Sequence, residues 1–262
     1  MSGGLVLRLA GPLQSWGEHS AFAAERDTTG FPTRSGLIGL FAAALGLERG
    51  SSLTRFDPLR ITVRVDTPGL LLTDFHTVGG GLPAARTVPT AEGKHRSGDN
   101  TATIVTRRRY LADAVFTVAV TDTGADDLVT TIGDALLRPV WQPFLGRRSC
   151  PPDQPLLLRR WCADPEDGLR TAVPLPRRLR FDRGDDGQVE VDLLTETAPA
   201  DGRSAVTELA DIPVSFDRYD RRYARRSVYR QTISLPSELC FPAGRAYQKA
   251  LYRYMSLDRE AA

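Results

Sequence analysis

Residues 5–17 read LVLRLAGPLQSWG, and after a polar spacer residues 31–46 read FPTRSGLIGLFAAALG. The alternating pattern of Gly4–Ala10 predicts a β-strand, which a Gly-Pro pair ends. The second stretch predicts a helix, because Thr33 is a suitable N-cap and Gly46 a suitable C-terminal stop. A strand followed by a helix with well-marked ends therefore begins the fold.

Arg34 directly follows the predicted N-cap. The N–H groups in the first turn of a helix are unpaired, and the helix dipole is positive there. Such a position suits an anion, for example a phosphate. An alternative is that Arg34 holds the helix against the sheet. The stretch carries no nucleophile or cofactor motif, so it indicates phosphate binding without chemistry.

The rest of the first 150 residues predicts further strands and helices. The predicted segments are strands at 59–66, 69–78 and 110–121, a helix at 126–137, and a strand at 156–161. The second of these strands is expected to be the antiparallel neighbour of the first, and an irregular insertion at 79–100 precedes the third. The order is close to a ferredoxin-like βαββαβ unit, so the predicted fold class is α+β.

Residues 151–262 have a different composition, with frequent prolines and short β-like pieces. A helical segment is expected near residues 243–255. We therefore predict two domains, one at 1–150 and a small β-rich C-terminal domain at 151–262.

Composition excludes several classes of protein. The chain has a net charge of +2 and a hydrophobic fraction of 41%, and no apolar run approaches the roughly 20 residues of a membrane span. The cysteines, at 150, 162 and 240, form no metal-ligand pattern and no disulfide framework. We expect a cytoplasmic protein without a metal, a cofactor or a membrane contact.

The basic residues are almost all arginine. Of the 34 Lys and Arg residues, only Lys94 and Lys249 are lysine. Arginine makes planar, bidentate contacts with phosphate and stacks on bases. A GC-rich genome that favours arginine codons would explain the same bias.

Three segments combine basic residues with other features of nucleic-acid binding. Residues 94–109 carry five basic side chains against one aspartate, and residues 217–230 carry six arginines interleaved with tyrosines. Residues 138–151 place an Arg-Arg pair near Trp141 and Phe144. Arginine and aromatic side chains together suit single-stranded nucleic acid. The alternatives are a solvated loop for 94–109, an interdomain connection with core aromatics for 138–151, and a plain surface helix or strand for 217–230. Residues 217–230 equally suit binding to an acidic protein surface.

The histidines decide whether the sequence supports catalysis. General acid–base cleavage of RNA needs a group with a pKa near neutrality, which His76 or His95 would provide. His19 lies in the first loop. Their spacing matches neither a metal site nor a His-Asp-Ser order. A structural or hydrogen-bonding role for His76 is the favoured interpretation.

Together these segments resemble the CasD family, subunits of the type I-E CRISPR Cascade surveillance complex that hold the 5′ end of the guide RNA. The matching pieces are LRLAGPLQSWG at 7–17, FPTRSGLIGL at 31–40, DFHTVGGG at 74–81, TIVTRRRYLADAVFTVAV at 103–120 and FLGRRSCP at 144–151. They follow the family's order across about residues 5–160, and beyond residue 160 the match is thin. RRYARRSVY at 221–229 resembles the family's last strand, whereas the tail at about 236–262 is expected to be an extension beyond the family's pattern.

The resemblance implies a ferredoxin-like, RRM-like palm at 1–78 and about 107–150, with an inserted thumb at about 79–106. It also implies RNA-binding roles. The implied RNA-binding residues are Gln14, Ser15, Trp16, Thr33, Arg34, Ser35, His76, Thr77, Arg107, Arg108, Arg109, Arg147 and Arg148. Trp16 would stack on a base, although a core ring needs no ligand, and Thr33, Arg34 and Ser35 would clamp a phosphate.

The implied function is a non-catalytic RAMP subunit in antiviral defence that grips the crRNA 5′ handle and caps a backbone of CasC subunits. CasA would dock beside it, and target DNA would be met only through the complex, by guide pairing. The enzyme alternative is a metal-independent endoribonuclease acting on CRISPR repeat RNA. A scaffold that contacts only protein is the third hypothesis.

Overall fold

The computed structural model of the chain describes residues 3–18, 25–78, 86, 104–124, 127–177, 187–199, 206–217 and 219–256. Its strands are Gly4–Ala10 (β1), Leu13–Gln14 (β2), Glu25–Arg26 (β3), Leu59–Thr67 (β4), Leu70–Val78 (β5), Ile104–Ala112 (β6), Val115–Asp122 (β7), Leu157–Cys162 (β8), Leu175–Arg177 (β9), Gln188–Thr195 (β10), Thr207–Phe216 (β11), Arg221–Pro236 (β12) and Cys240–Pro242 (β13). Its α-helices are Arg34–Ala44 (α1), Leu128–Leu137 (α2), Pro165–Thr171 (α3) and Arg245–Ser256 (α4). The predicted α+β class is confirmed.

A seven-stranded sheet in the order β11-β12-β10-β4-β7-β1-β8 forms the centre of the molecule. Every neighbouring pair in it is antiparallel. Strands from before and after residue 150 therefore share this sheet, and the predicted domain boundary does not divide it. The helix near the C-terminus is α4, close to the expected position.

The prediction that residues 69–78 pair with residues 59–66 is wrong. Strand β5 pairs with β6 instead, from Leu70 opposite Ala112 to Val78 opposite Ile104. Gly69 has a φ of +73°, and a Cβ there would lie 2.6 Å from the Ala112 carbonyl oxygen, so a glycine is needed where β5 turns away from β4.

The single long strand predicted at 110–121 is divided into two. Asp113, with a φ of 56°, separates β6 from β7. Aspartate tolerates this left-handed conformation better than most residues. Strand β6 pairs with β2, β3 and β5 in a second sheet, whereas β7 belongs to the main sheet.

The insertion expected at 79–106 lies between β5 and β6. Apart from Arg86 and the first residues of β6, it lies outside the residues that the structure describes. Among the described residues, no helix combines the length and apolar character that a membrane span requires.

Apolar cores lie on both faces of the main sheet. Leu5, Leu7 and Leu9 of β1 pack with α1 and α2 on one face. On the other face, Val6 packs with residues of α3 and α4. This division follows from the alternation of side chains along a strand.

The predicted ends of the first helix are confirmed. The Thr33 side chain accepts a hydrogen bond from the Gly36 N–H, as an N-cap does. Gly46 has a φ of +73° just after the helix, where a glycine is favoured.

A buried ionic network joins the start of α1 to β10, β11 and β12. The Asp211 carboxylate accepts the Arg34 backbone N–H at 2.7 Å and two hydrogen bonds from the Arg226 guanidinium at 2.7 and 2.8 Å. Glu196 accepts from the Arg34 guanidinium at 2.9 Å and lies 3.4 Å from Arg226. The network fixes the β11–β12 ribbon against the helix.

Asp211→Ala should lower the free energy of unfolding by about 3–5 kcal/mol, because it removes the buried carboxylate that accepts the Arg34 N–H and two hydrogen bonds from the largely buried Arg226 guanidinium. Urea denaturation measures this. The matched control is Asp134→Ala, which breaks a half-exposed ion pair with Arg160 and should cost no more than about 1 kcal/mol. Equal losses for the two variants would contradict a central role for the network.

Tyr247 fixes α4 on the sheet, and its hydroxyl accepts a hydrogen bond from Arg8 Nε at 3.2 Å. Burial, and then the Asp66 carboxylate, raise the pKa of Tyr247 to about 12. A raised pKa stabilises the fold below the unfolded value of about 10, and this stability is lost as the pH rises through about 12.

Relative to Tyr247→Phe, which has no phenol to ionise, the unmodified protein should therefore lose about 1 kcal/mol more stability between pH 9 and pH 11. Urea midpoints at each pH test this. Tyr252→Phe, which alters an exposed tyrosine of the same helix, should keep the original pH dependence. If plots of stability against pH are parallel for the unmodified protein and Tyr247→Phe, the predicted effect of Tyr247 ionisation is refuted.

Candidate nucleic-acid interface

A cleft of about 630 Å³, called here the basic cleft, opens between the start of α1 and the β11–β12 ribbon. The loop after β2 and the Gly146-Arg147 turn close its other sides. The buried network described above fixes two of these walls. Among the described residues, the arginines that line the basic cleft are Arg26, Arg147 and Arg221.

The guanidinium groups of this cleft lie close enough to act on one another. Burial, followed by the charges of Arg108, Arg147 and Arg221, lowers the pKa of Arg26. Like charges gathered in this way favour the binding of an anion, since it relieves their repulsion.

The carboxylates in the lining of the cleft have other partners. Glu18 accepts the Ala210 N–H at 2.8 Å, and Asp220 pairs with Arg222 at 3.0 Å. The electrostatic character of the cleft is therefore set mainly by its arginines.

Gly146 brings the Gly-Arg-Arg turn against the loop after β2. Its φ is +85°, and a Cβ there would lie 1.6 Å from the Ser15 carbonyl oxygen, which is impossible without moving the backbone. The Ser15 N–H donates to the Leu145 carbonyl at 3.1 Å. Leu145 is fully buried.

Arg147 is oriented before any ligand binds. It donates to the backbone carbonyls of Arg109 and Asp27, each at 3.1 Å. Its guanidinium carbon also lies 4.7 Å from the centre of the Tyr110 ring. These contacts hold the Arg147 guanidinium at the wall of the cleft, where the sequence predicts a phosphate or base contact.

Gln14, Ser15 and Trp16 are buried and shape the cleft from behind. The Gln14 side chain donates to the carbonyls of Leu9 and Ala114 and accepts from Trp16 Nε1 at 3.0 Å. Trp16 is 1% exposed, so the expectation that it stacks on a base is wrong and the core alternative applies. Ser15 Oγ donates to the Arg109 carbonyl, and the Gln14 amide is enclosed.

The expectation that Arg34 clamps a phosphate also fails. Its buried guanidinium donates to Glu196 and to the carbonyls of Phe56 and Leu59. The Asp211 carboxylate occupies the position at the helix N-terminus that an anion would take. The alternative, that Arg34 pins the helix to the sheet, is therefore the correct one.

The neighbours of Arg34 differ from each other. Thr33 is buried and uses its hydroxyl as the N-cap, although it lies in the lining of the cleft. Ser35 is half-buried and also lines the cleft. Ser35 is therefore the residue of this trio that a ligand reaches most readily.

The arginine triplet of β6 is divided between the two faces of its sheet. Arg107 and Arg109 lie near Glu25, at 3.6 and 3.9 Å. Arg108 projects to the opposite face and lies in register with Arg26 of β3 and Asp74 of β5. Arg108 is thus the member of the triplet that adds to the charge beside the cleft.

His76 and Thr77 lie on opposite faces of β5. His76 Nδ1 is 3.3 Å from Asp74 Oδ2, on the same face as Arg108. Thr77 is exposed. Lys94, His19 and His95 lie outside the described residues. Among the described residues, no group of three His, Cys, Asp or Glu side chains could hold a metal ion.

Arg148 lines an adjoining groove of about 750 Å³, called here the side groove, and is not part of the lining of the cleft. The two spaces share Ser35, Gly36, Gly146, Phe216, Arg221 and Tyr223.

No sequence pattern marks Arg26, because a two-residue strand has no periodicity. The basic and aromatic pattern of residues 217–230 does not distinguish the members that line the cleft from the others. Arg221 and Tyr223 line the cleft, whereas Arg226 is internal and Arg230 lies 3.7 Å from Asp192.

Three comparisons show which known proteins the chain is similar to. A family model described as CRISPR-associated protein (Cas_Cas5) matches residues 4–229. The chain is 42% identical over 176 residues to the CRISPR system Cascade subunit CasD of Escherichia coli (strain K12), which is 65% of this chain and 77% of that protein.

Solved structures are similar over almost the whole chain. A chain from a CRISPR RNA-guided surveillance complex is 52% identical, with a TM-score of 0.86, and the match covers 97% of this chain and 99% of that one. A crystal structure of a Cas protein is 28% identical, with a TM-score of 0.54, over 92% of this chain and 98% of that one.

Proposed function

The chain belongs to the Cas5 family of CRISPR-associated proteins, and on that premise we propose that it is the Cascade subunit that binds the 5′ handle of the crRNA. The family assignment confirms the resemblance seen in the sequence. The proposal extends to its partners, which are CasC subunits whose backbone it caps, the large subunit CasA, and target DNA that the complex recognises by guide pairing.

The observation that carries the proposal is the convergence of arginines on the basic cleft. Arg26, Arg147 and Arg221 line it, and Arg108 lies beside Arg26. Single-stranded RNA presents a phosphate at every nucleotide, and arginine matches phosphate geometry with two parallel N–H donors. A cleft with this charge and an aromatic wall of Phe216 and Tyr223 suits such a strand.

Arg108, Arg147 and Arg148, which the resemblance implies as RNA contacts, have that role in the proposed complex, and so do Arg26 and Arg221. Ser35 lines the cleft. Other expected residues receive different roles. Gln14, Ser15, Trp16, Thr33 and Arg34 position the walls, and His76, Thr77, Arg107 and Arg109 flank the base of the insertion.

We also assign the parts of the fold in terms of the family. Strands β1, β4, β7 and β8 with helices α1 and α2 would form the ferredoxin-like palm, since their order in the sheet is β4-β7-β1-β8. The insertion at 79–106, carried by the β5–β6 hairpin, would be the thumb. The remaining C-terminal strands, β9 to β13, would form the small C-terminal domain.

Arg26→Ala and Arg221→Ala should each weaken binding of repeat-derived 5′-handle RNA by about 10-fold, because each removes a charged group that pairs with a phosphate. The slope of log K against log[salt] should become shallower by about 0.7 for each phosphate that the variant no longer neutralises. Fluorescence anisotropy across a salt series measures both quantities.

Arg160→Ala is the matched control, since Arg160 is an exposed arginine paired with Asp134 and is absent from the lining of the cleft. Its affinity and salt slope should match those of the unmodified protein. If Arg26→Ala and Arg221→Ala also match them, the cleft is not the RNA site.

The enzyme alternative has one observation in its favour, the His76–Asp74 contact on the face of Arg108. A carboxylate can orient an imidazole for proton transfer. We nevertheless propose a non-catalytic subunit, because the Cascade relative is named as a subunit of a complex.

Incubation of the purified protein with CRISPR repeat RNA in EDTA should give no discrete cleavage product, and gel analysis of end-labelled RNA is the measurement. His76→Ala and His95→Ala should leave the pattern unchanged. A discrete cut that either substitution abolishes would favour the endoribonuclease.

A further inference from the structure

The side groove is continuous with the basic cleft. Phe216, Arg221 and Tyr223 of the β11–β12 ribbon form a wall that both spaces share, and Ser35 and Gly36 of α1 lie at their common floor. The two spaces therefore adjoin each other, and a chain that lies in the cleft is at the edge of the groove.

The floor of the groove is made of small side chains. Gly39 and Ala43 lie along α1 at the spacing of one helical face. A Cβ added at Gly39 would find no atom closer than the Phe216 ring at 4.0 Å. The floor is therefore open, and planar groups can approach the helix backbone.

Trp141 stands at the side of this floor on an anchored backbone. The backbone N–H of Trp141 donates to the Ala43 carbonyl, and the backbone N–H of Val140 donates to the Ala44 carbonyl. The Trp141 side chain is nevertheless 46% exposed. A large aromatic side chain that is open to solvent on an anchored backbone is typical of a binding surface.

The charged side chains along the groove favour a polyanion. Arg49, Arg148 and Arg221 line it, against one carboxylate, that of Glu48. Phe144 and Phe216 add aromatic surface beside Trp141. Rings with arginines at their margins match the bases and phosphates of a single strand.

We propose that the side groove holds bases of the same single-stranded RNA that the basic cleft binds by its phosphates, and that Trp141 stacks on one of them. The inference rests on the proposed function, because it takes its occupant from the cleft. An apolar segment of a protein would also contact Trp141, but the continuity with the cleft and the excess of arginine favour RNA.

The test compares repeat-derived handle RNA with the same RNA made abasic at successive single positions. At one or more positions, removal of the base should weaken binding to the unmodified chain. Trp141→Ala should lower affinity for intact RNA by between about 5-fold and 100-fold and should remove most of the abasic penalty at that position. Trp161→Ala, which removes another exposed tryptophan outside the groove, should change neither quantity.

The outcomes separate this inference from the proposed function. If Arg26→Ala and Arg221→Ala weaken binding while Trp141→Ala does not alter the abasic penalty, the cleft binds RNA and the inference about the groove is overturned. If Trp141→Ala weakens intact and abasic RNA equally, stacking is likewise overturned. A loss of association with purified CasA or CasC, with RNA affinity unchanged, would assign the groove to protein.

Discussion

The carboxylates of Asp211 and Glu196, each paired with arginine, are the constraint on which the basic cleft and the side groove depend. Glu196 lies between the Arg34 and Arg226 guanidinium groups, and Asp211 accepts the Arg34 backbone N–H and pairs with Arg226, in a largely buried region. Charges buried in this way are tolerated only with complete pairing and defined geometry. The distance between α1 and the β11–β12 ribbon is therefore set by ionic contacts, and that distance defines the cleft and the side groove.

The arginines of this chain divide into two groups with opposite physical requirements. Arg34 and Arg226 are enclosed, and Arg64 is likewise buried, where it donates to Asp66 and to backbone carbonyls near α3. Arg147 is anchored by two carbonyl oxygens and the Tyr110 ring, and Arg221 lies on the exposed ribbon. A carboxylate neutralises the members of the first group, whereas the second group retains charge that an anion can neutralise.

Local sequence patterns predicted the start of the fold well, because the caps of α1 and the alternation of β1 are short-range effects. The pairing of β5 could not be predicted, since nothing in its own residues identifies β6 as its partner. The prediction that Arg34 binds a phosphate failed for the same reason. A helix N-terminus attracts any anion, and the sequence does not reveal that Asp211, far along the chain, already lies there.

Trp16 and Trp141 illustrate the same limit within the candidate site. Each precedes or follows polar residues in a loop, and composition alone gives both the same potential to stack on a base. The Trp16 ring is buried, and Gln14 accepts its indole N–H. Helix α1 anchors the backbone of Trp141, whose ring remains exposed. Tertiary contacts therefore decide which aromatic is core and which is surface. Because the ribbon supplies the wall shared by cleft and groove, any shift of the ribbon would change the proposed phosphate contacts and the proposed base contacts together. One largely buried ionic network would thus govern both kinds of contact.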